Sequence, residues 1–302
     1  HIFMKKTNTI TESQNHNSID IDTKNISEIV QIFHNDNKAI LDGLEESLDD
    51  IKNVVDLTIS CLVSGGRLLY VGAGTSGRLG VLDASECKPT FSVDKELVQG
   101  VIAGGERALT ESIEGAEDKI DEVNNIINNK NISSKDIIIG ISCSGSAPFV
   151  LEFLKLSHKI GATTVLITFN NVDNIKYVDK IIKTYVGPEI ISGSTRMKSG
   201  TATKMILNMI SSITMIKLNK TYGNYMVDLN VVNKKLEKRA INILKTLTGL
   251  NNAEAQIILK KSKGKVKNAI VMTNLKVSYH ESIRLIAKYN GNLRFILSND
   301  KN

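Results

Sequence analysis

The sequence predicts an α/β fold, in which a parallel β-sheet carries helices on both faces and a small helical module follows at the C-terminus. Three observations predict it. Short apolar runs alternate with amphipathic helical stretches between residues 68 and 218. Two of these runs end in glycine- and serine-rich turns, at 72–77 and 142–146. Beyond residue 233 only short amphipathic helices are expected, and no strand–glycine–helix unit recurs.

The spacing of apolar residues places the individual elements. Predicted helices up to residue 218 cover 26–33, 39–61, 79–87, 110–127, 149–160 and 199–218. Pro89 is expected to end the third of them. Predicted strands cover 68–71, 97–103, 137–141, 164–169 and 180–186. The helices expected in the C-terminal module cover 236–247, 253–260, 266–272 and 280–289.

The glycine-rich turn at 72–77 follows the first strand and opens a helix. Such a helix start aims backbone N–H groups at one point and favours an anion. The glycine spacing also matches a dinucleotide fingerprint, which needs an acidic residue at the end of the next strand. Asp94 and Glu96 lie near the required distance, but no predicted strand ends at either. The adjacent hydroxyls of Thr75 and Ser76 instead suit a small polar ligand.

A second strand–turn–helix unit strengthens the prediction of a ligand site. A buried run is followed by Ser142, Ser144, Gly145 and Ser146, and then by Pro148, which suits the first turn of a helix. Ligands bind at the carboxyl ends of the strands in an open parallel sheet. Two hydroxyl-rich loops at that edge therefore predict a sugar-phosphate site rather than a nucleotide site. The alternative, that the serines only cap the helix, accounts for one serine more readily than for three.

Five sequence blocks resemble a known family. Gly-Ala-Gly-Thr-Ser-Gly-Arg-Leu at 72–79 and Ile-Ser-Cys-Ser-Gly-Ser at 141–146 are similar to the two ligand loops of the sugar isomerase (SIS) domain. Leu-Asp-Ala-Ser-Glu at 82–86, Glu-Gly-Ala-Glu-Asp at 114–118 and the block at 193–201 narrow the resemblance. Together they resemble the family of N-acetylmuramic acid 6-phosphate etherases, over nearly the whole chain.

The resemblance implies an enzyme that removes a D-lactyl ether from a sugar phosphate by elimination and water addition, without a cofactor. It places the acid that protonates departing lactate at Glu86 and the base at Glu117, although the sequence does not fix which glutamate performs which step. It also implies a ubiquitin-associated-like tail of three helices and a function in cell-wall recycling. A site in this fold is often completed by a second subunit, so a homodimer is expected.

The resemblance also implies which residues bind the phosphate. Ser144 and Gly145 match the family's loop directly. Ala147 departs from the family's pattern, which has Thr or Ser at that position. We expect Ser142 or Ser146 to supply the missing hydroxyl contact, and the N-terminus of the following helix to supply the rest.

Other polar residues are expected to contact the sugar and its lactyl group. Thr75 and Ser76 are predicted to face the sugar. Ser194, Thr195, Arg196 and Lys198 precede a long apolar helix, and Arg196 or Lys198 is a candidate partner of the lactyl carboxylate. The alternative is that this polar segment caps the long helix or bridges two subunits.

The ends of the chain give further expectations. The segment 1–3 precedes Met4 and resembles a tag remnant. The sugar isomerase domain with its N-terminal helices is expected at 4–232, and the helical module at 233–302. The polar stretch 5–22 is either a disordered tail or, because 11–15 is similar to the family's N-terminal block, a segment lying over the site.

Composition argues against several classes of protein. The net charge is +6, but the lysines are scattered and often lie beside acids, so no nucleic-acid partner is predicted. No apolar run approaches the roughly 20 residues that cross a bilayer, so no membrane partner is predicted. Three cysteines, without metal spacing or a secretory leader, predict a cytoplasmic protein. The histidines form no pair with metal-ligand spacing, so no metal is predicted.

Two other functions remain open on the sequence. A sugar-phosphate isomerase on the same fold would also need a base at C2 of the sugar. A sugar-phosphate sensor would bind its ligand without turnover. The block at 82–86 and the helical tail favour the etherase over the isomerase, and the presence of both glutamates favours an enzyme over a sensor.

Overall fold

The structure is a computed structural model that describes residues 9–229, 231 and 233–299. These residues form two compact units. The first contains the described residues up to Ser85 and the segment Glu96–Ser211, and the second contains Glu86–Lys95 and the described residues from Ser212 onward. The predicted tag remnant at 1–3 lies outside the described residues, and the domain boundary expected at residue 233 stays a prediction.

The first unit contains a five-stranded sheet. Its strands are β1 Leu68–Gly72, β2 Val98–Ile102, β3 Ile137–Ile141, β4 Thr163–Thr168 and β5 Lys180–Lys183. The strand order is β2-β1-β3-β4-β5, and every neighbouring pair is parallel. The strands β1 and β3 are buried over their whole length, as expected where helices cover both faces of a parallel sheet. The predicted parallel sheet is therefore confirmed.

Helices cover the sheet because successive strand residues face opposite sides. The helices of this part of the chain are α1 Ile26–Asp36, α2 Lys38–Glu46, α3 Leu48–Val63, α4 Gly74–Phe91, α5 Asp121–Asn129, α6 Pro148–Ile160 and α7 Lys198–Lys217. Leu69 and Ile138 belong to one apolar cluster with Phe149 and Phe153 of α6. On the opposite face, the hydroxyl of the fully buried Tyr70 donates to Asp83 of α4 at 3.1 Å.

The strand order reverses direction between β1 and β3. The chain runs from β1 outward to β2 and then returns to place β3 on the other side of β1. The carboxyl ends of β1 and β3 thus flank a switch point, where ligands bind in open α/β sheets. At this edge β1 meets α4 so closely that a Cβ added to Gly72 would lie 2.5 Å from the Gly77 nitrogen. Glycine is therefore required where the strand turns into the helix.

Three helix predictions are wrong, each for a local reason. The helix expected at 39–61 is divided into α2 and α3 at Ser47, whose φ of −101° and ψ of 4° are not helical. Pro89 does not end α4, which continues to Phe91, because a proline so near the end costs only one of the last helical hydrogen bonds. The helix expected at 110–127 is also absent. Two short 3₁₀ turns, at Glu106–Leu109 and Ala116–Asp118, precede the shorter α5. Gly115 has a φ of +66°, which a continuous right-handed helix does not allow.

The second unit is mainly helical. Its described helices are α8 Lys234–Thr248, α9 Asn252–Lys261, α10 Val266–Leu275, α11 Tyr279–Lys288 and α12 Leu293–Asn299. They enclose a separate apolar cluster, and a two-stranded hairpin, Thr221–Tyr222 and Tyr225–Met226, precedes them. The predicted helical module is confirmed, but α12 and the hairpin were not predicted, and these described helices exceed the three that the resemblance implied. No helix in the described ranges is long and apolar enough to cross a membrane.

Candidate active site

A cavity of about 300 Å³ lies at the carboxyl ends of β1 and β3. Its walls come from separate parts of the first unit, namely the start of α4, the loop between β3 and α6, the N-terminal segment, and the single residues Glu117 and Thr195. Of the residues that the sequence singled out, the cavity brings together Thr75, Ser76, Glu117, Ser142 and Ser144. Most of the lining side chains carry a hydroxyl or carboxylate group, and such groups can form hydrogen bonds with the hydroxyl groups of a sugar.

The loop between β3 and α6 places the hydroxyl groups of Ser142 and Ser144 in the cavity wall. Ser144 Oγ accepts hydrogen bonds from the Ser146 backbone N–H at 3.2 Å and from Ser146 Oγ at 2.9 Å. Ser142 Oγ accepts from the Ala147 N–H at 3.2 Å. Ser142 Oγ and Ser144 Oγ lie 3.4 Å apart, where either hydroxyl could be the donor. Both serines line the cavity, and a hydroxyl group can rotate to donate its proton to a bound acceptor. The cavity therefore presents hydroxyl donors at the start of α6, where the helix dipole favours negative charge.

Gly145 allows this loop to form. Its φ is +75°, which L side chains rarely adopt. A Cβ at this position would also lie 2.4 Å from Val172 Cγ1 and 2.9 Å from Thr168 Oγ1. Gly145 and Ser146 thus fix the conformation of the loop, although neither lines the cavity.

The N-terminal segment is tied down beside the same cavity. Thr11, which is buried, donates its N–H to Asn170 Oδ1 at 3.2 Å, and Asn170 Nδ2 donates to Thr11 Oγ1 at 2.9 Å. The Gly193 N–H donates to the Thr11 carbonyl at 3.2 Å. These bonds place Thr11 and Glu12 in the cavity wall. Of the two alternatives that the sequence left for 5–22, the described residues from 9 onward match the segment that lies beside the cavity, and 5–8 lie outside the described residues.

The polar segment before α7 anchors the helix. The buried carboxylate of Glu189 accepts hydrogen bonds from the Lys198 and Ser199 N–H groups, each at 2.9 Å. The Lys198 ammonium lies 2.8 Å from the Asp36 carboxylate, and both side chains are buried. Lys198 therefore has an internal partner and is not offered to a ligand. This geometry matches the alternative in which the segment caps the helix.

Several further residues predicted for the site do not line the cavity. Ser194 and Arg196 flank Thr195, which does line it, but they do not. Glu86 is exposed on α4 and belongs to the second unit, and it is not part of the cavity wall. Within one chain, the cavity thus contains one of the two predicted catalytic glutamates.

The cavity also contains a thiol. Cys143 Sγ lies 3.7 Å from Ser76 Oγ. Burial raises the pKa of the Cys143 thiol, so that the neutral form predominates near pH 7. Since the thiolate is the nucleophilic form, Cys143 is suited to a place in the wall and not to attack on a substrate.

Family models match two parts of the chain. The model described as the N-terminal SIS domain of glucokinase regulatory protein matches residues 42–158. The model described as the C-terminal lid domain of glucokinase regulatory protein matches residues 223–290. The first match contains both loops of the cavity, and the second contains most of the helical module.

Similar proteins are known along almost the whole chain. N-acetylmuramic acid 6-phosphate etherase 1 of Bacillus licheniformis is 44% identical over 289 residues, which cover 95% of each chain. The N-acetylmuramic acid 6-phosphate etherase of Clostridium beijerinckii is 47% identical over 276 residues, which cover 91% of each chain. Among solved structures, a putative sugar-phosphate isomerase from Listeria monocytogenes is 16% identical with a TM-score of 0.48, covering 66% of this chain and 94% of that one.

Proposed function

The chain belongs to the family of N-acetylmuramic acid 6-phosphate etherases, and we propose that it cleaves the D-lactyl ether of N-acetylmuramic acid 6-phosphate. The products are N-acetylglucosamine 6-phosphate and D-lactate. The observation that carries the proposal is that one cavity is lined by Glu117 and by Ser142 and Ser144 of the loop between β3 and α6. We call this loop, residues 142–146, the serine loop. A cytoplasmic location and a function in cell-wall recycling belong to the same proposal.

The proposed reaction has two stages. In the open-chain sugar the C1 aldehyde acidifies the C2–H bond. Glu117 takes the C2 proton, the electron pair forms a C2=C3 double bond, and the C3–O bond breaks. The departing lactate oxygen takes a proton from a second carboxyl group, so that lactate leaves as an alcohol. Water then adds at C3 of the unsaturated aldehyde, and C2 regains a proton. General acid and general base groups of this kind supply the proton transfers without a cofactor.

The serine loop is the proposed phosphate site. Ser142 and Ser144 donate their hydroxyl groups, and the start of α6 adds its N–H groups and dipole. The absence of a hydroxyl at Ala147 is compensated in this arrangement by Ser142, whose oxygen is fixed by the Ala147 N–H at 3.2 Å. Thr75 and Ser76, at the start of α4, are the proposed partners of the sugar hydroxyl groups.

Glu86 is the proposed acid, and a homodimer is the proposed assembly. Glu86 is exposed and does not line the cavity, whereas the reaction needs an acid at the lactate oxygen. We propose that Glu86 of one subunit completes the cavity of its partner. In a twofold-symmetric dimer such a contribution is made twice, once to each cavity.

The test of the proposed function is D-lactate release by the purified chain. Incubation with N-acetylmuramic acid 6-phosphate is expected to give equal amounts of D-lactate and N-acetylglucosamine 6-phosphate. An isomerase would rearrange a sugar phosphate without cleaving the ether. A sensor would bind the sugar and release nothing. Binding without any lactate would therefore overturn the proposal.

The Ser144→Ala variant is expected to bind the phosphorylated sugar more weakly. Losing one hydrogen bond to a charged group costs about 1.5–3 kcal/mol, or roughly a 10- to 150-fold rise in KM. The kcat is expected to change much less, because the phosphate is remote from the reacting carbons. Initial rates of lactate release over a range of substrate concentrations measure both constants.

The matched control is Ser13→Ala, which removes a serine hydroxyl that does not line the cavity. Its KM is expected to equal that of the wild type. Equal KM values for wild type and Ser144→Ala would show that the phosphate is bound elsewhere.

A further inference from the structure

A second cavity adjoins the first on the other side of Glu117. Its volume is about 230 Å³, and it shares Ala73, Gly74 and Glu117 with the first cavity. The remaining walls come from Arg78 of α4 and from residues between 103 and 116. Glu117 therefore lines two adjoining cavities of the same unit, one with the serine loop and one with Arg78.

Arg78 is the positively charged side chain in the lining of these two cavities. Among the described residues that line either cavity, Arg78 is the one Lys or Arg. Glu114 and Glu117 line the same cavity as Arg78, so Arg78 is the charged side chain in this lining that attracts an anion.

The guanidinium group of Arg78 has N–H donors that are not used in hydrogen bonds to other described residues of the protein. Its Nη2 donates to the backbone carbonyl of Glu111 at 2.7 Å. The Glu111 carboxylate is instead bonded by Arg107 at 2.8 Å. A guanidinium has five N–H donors, and Arg78 forms no ion pair within the described part of the chain. The remaining donors match the two oxygens of a carboxylate.

The substrate of the proposed function carries two anions at separate positions. The phosphate is at C6 and the lactyl carboxylate is on the C3 ether, next to C2. If the phosphate lies at the serine loop and Glu117 takes the C2 proton, the C3 substituent is adjacent to Glu117. The second cavity, which Glu117 also lines, is the one that contains Arg78.

We propose that the second cavity is the subsite of the D-lactyl group and that Arg78 binds its carboxylate. The proposal rests on the proposed function, because it takes the substrate from it. Arg78 then selects ethers that carry a carboxylate and holds the leaving group while the C3–O bond breaks. This assigns to Arg78 the role for which the sequence had offered Arg196 or Lys198.

The test compares two substrates in wild type and in Arg78→Met. One substrate is N-acetylmuramic acid 6-phosphate, and the other is its lactyl amide, which keeps the phosphate and nearly the same shape but lacks the charge of the lactyl carboxylate. The wild type is expected to prefer the acid in kcat/KM by about 10- to 100-fold, as charged hydrogen bonds imply. Arg78→Met is expected to lower kcat/KM for the acid by a similar factor and to leave the amide nearly unchanged, so that the preference disappears.

Further variants show whether Arg78 binds the lactyl carboxylate or only supports the local structure. Arg78→Lys keeps the charge without the fork of donors and is expected to retain part of the preference. Arg107→Met is the matched control, because Arg107 also contacts Glu111 but lies outside both cavities. It is expected to keep the full preference. Equal losses for acid and amide in Arg78→Met would make Arg78 a structural residue and overturn the proposal, as would loss of the preference in Arg196→Met instead.

Calorimetric binding of the same two ligands separates failure of the subsite from failure of the proposed function. If the wild type releases no lactate but binds the acid more tightly than the amide, and Arg78→Met removes the difference, only the proposed function fails. If the wild type releases lactate but treats acid and amide alike, the subsite proposal is wrong and the function stands.

Discussion

Glu117→Ala is expected to lose both lactate release and the exchange of the C2 proton with heavy water. Glu117 lines the cavity together with the serine loop, and it is the proposed base for the first proton transfer. Without it, neither the elimination nor the reversible loss of the C2 proton can proceed at its normal rate. General acid–base groups contribute about 100- to 10,000-fold, so the defect is large enough to measure directly.

Glu86→Ala is expected to fail at the departure of lactate, the step that follows removal of the C2 proton. Its base is intact and still removes the C2 proton, but lactate must leave as an alkoxide. The variant should therefore exchange C2–H with deuterium while it releases very little lactate. Proton NMR in heavy water follows both signals in the same sample.

Asp118→Ala is the matched control for this pair. Asp118 is exposed beside Glu117 in the same 3₁₀ turn, but it lines neither cavity. The Asp118→Ala variant is expected to retain both lactate release and exchange of the C2 proton. Exchange that survives in Glu117→Ala and disappears in Glu86→Ala would reverse the two roles. Full activity in both variants would remove these glutamates from the mechanism.

The sheet could be predicted from sequence because its signals are local. Runs such as 137–141 are apolar throughout, as strands buried on both faces must be. The turns that follow β1 and β3 contain the residues that a helix start requires. Gly115 shows the limit of such signals, since helix-compatible residues on both sides of it predicted a continuous helix. Its φ of +66° instead separates Glu117 from α5 and places it in the cavity wall.

The alternatives that the sequence left open were decided by long-range contacts. Thr11 is held by Asn170, which lies 159 residues further along the chain. Lys198 is paired with Asp36 of α1. A polar segment next to a helix looks the same in sequence whether its side chains bind a ligand or an internal partner. The hydroxyls of Ser142 and Ser144 were predictable because the strand that precedes them fixes their position at the sheet edge.

The two predicted catalytic glutamates do not line the same cavity within one subunit. Glu117 lines the cavity of the first unit, whereas Glu86 is exposed and belongs to the second unit. The proposed site shared between two subunits would bring the two carboxyl groups together. In a twofold dimer, each cavity would then use Glu117 of its own chain and Glu86 of the partner subunit.

Mixing the two inactive variants is therefore expected to restore activity. When Glu86→Ala and Glu117→Ala subunits are dissociated and reassociated together, half of the dimers should contain one of each. Such a heterodimer has one cavity with both glutamates and one with neither, so the mixture should recover about a quarter of wild-type lactate release. Native mass spectrometry measures the heterodimer fraction, to which the recovered rate should be proportional.

A second mixture provides the control for this experiment. Glu117→Ala subunits combined with subunits that carry both substitutions contain no cavity with both glutamates under either arrangement, and they should remain inactive. If Glu86 acted in the cavity of its own chain, the first mixture would be inactive as well, because each cavity would lack one glutamate. Heterodimers that form without regaining activity would thus refute the shared site. Recovery in the first mixture alone requires that the acid and the base come from different subunits.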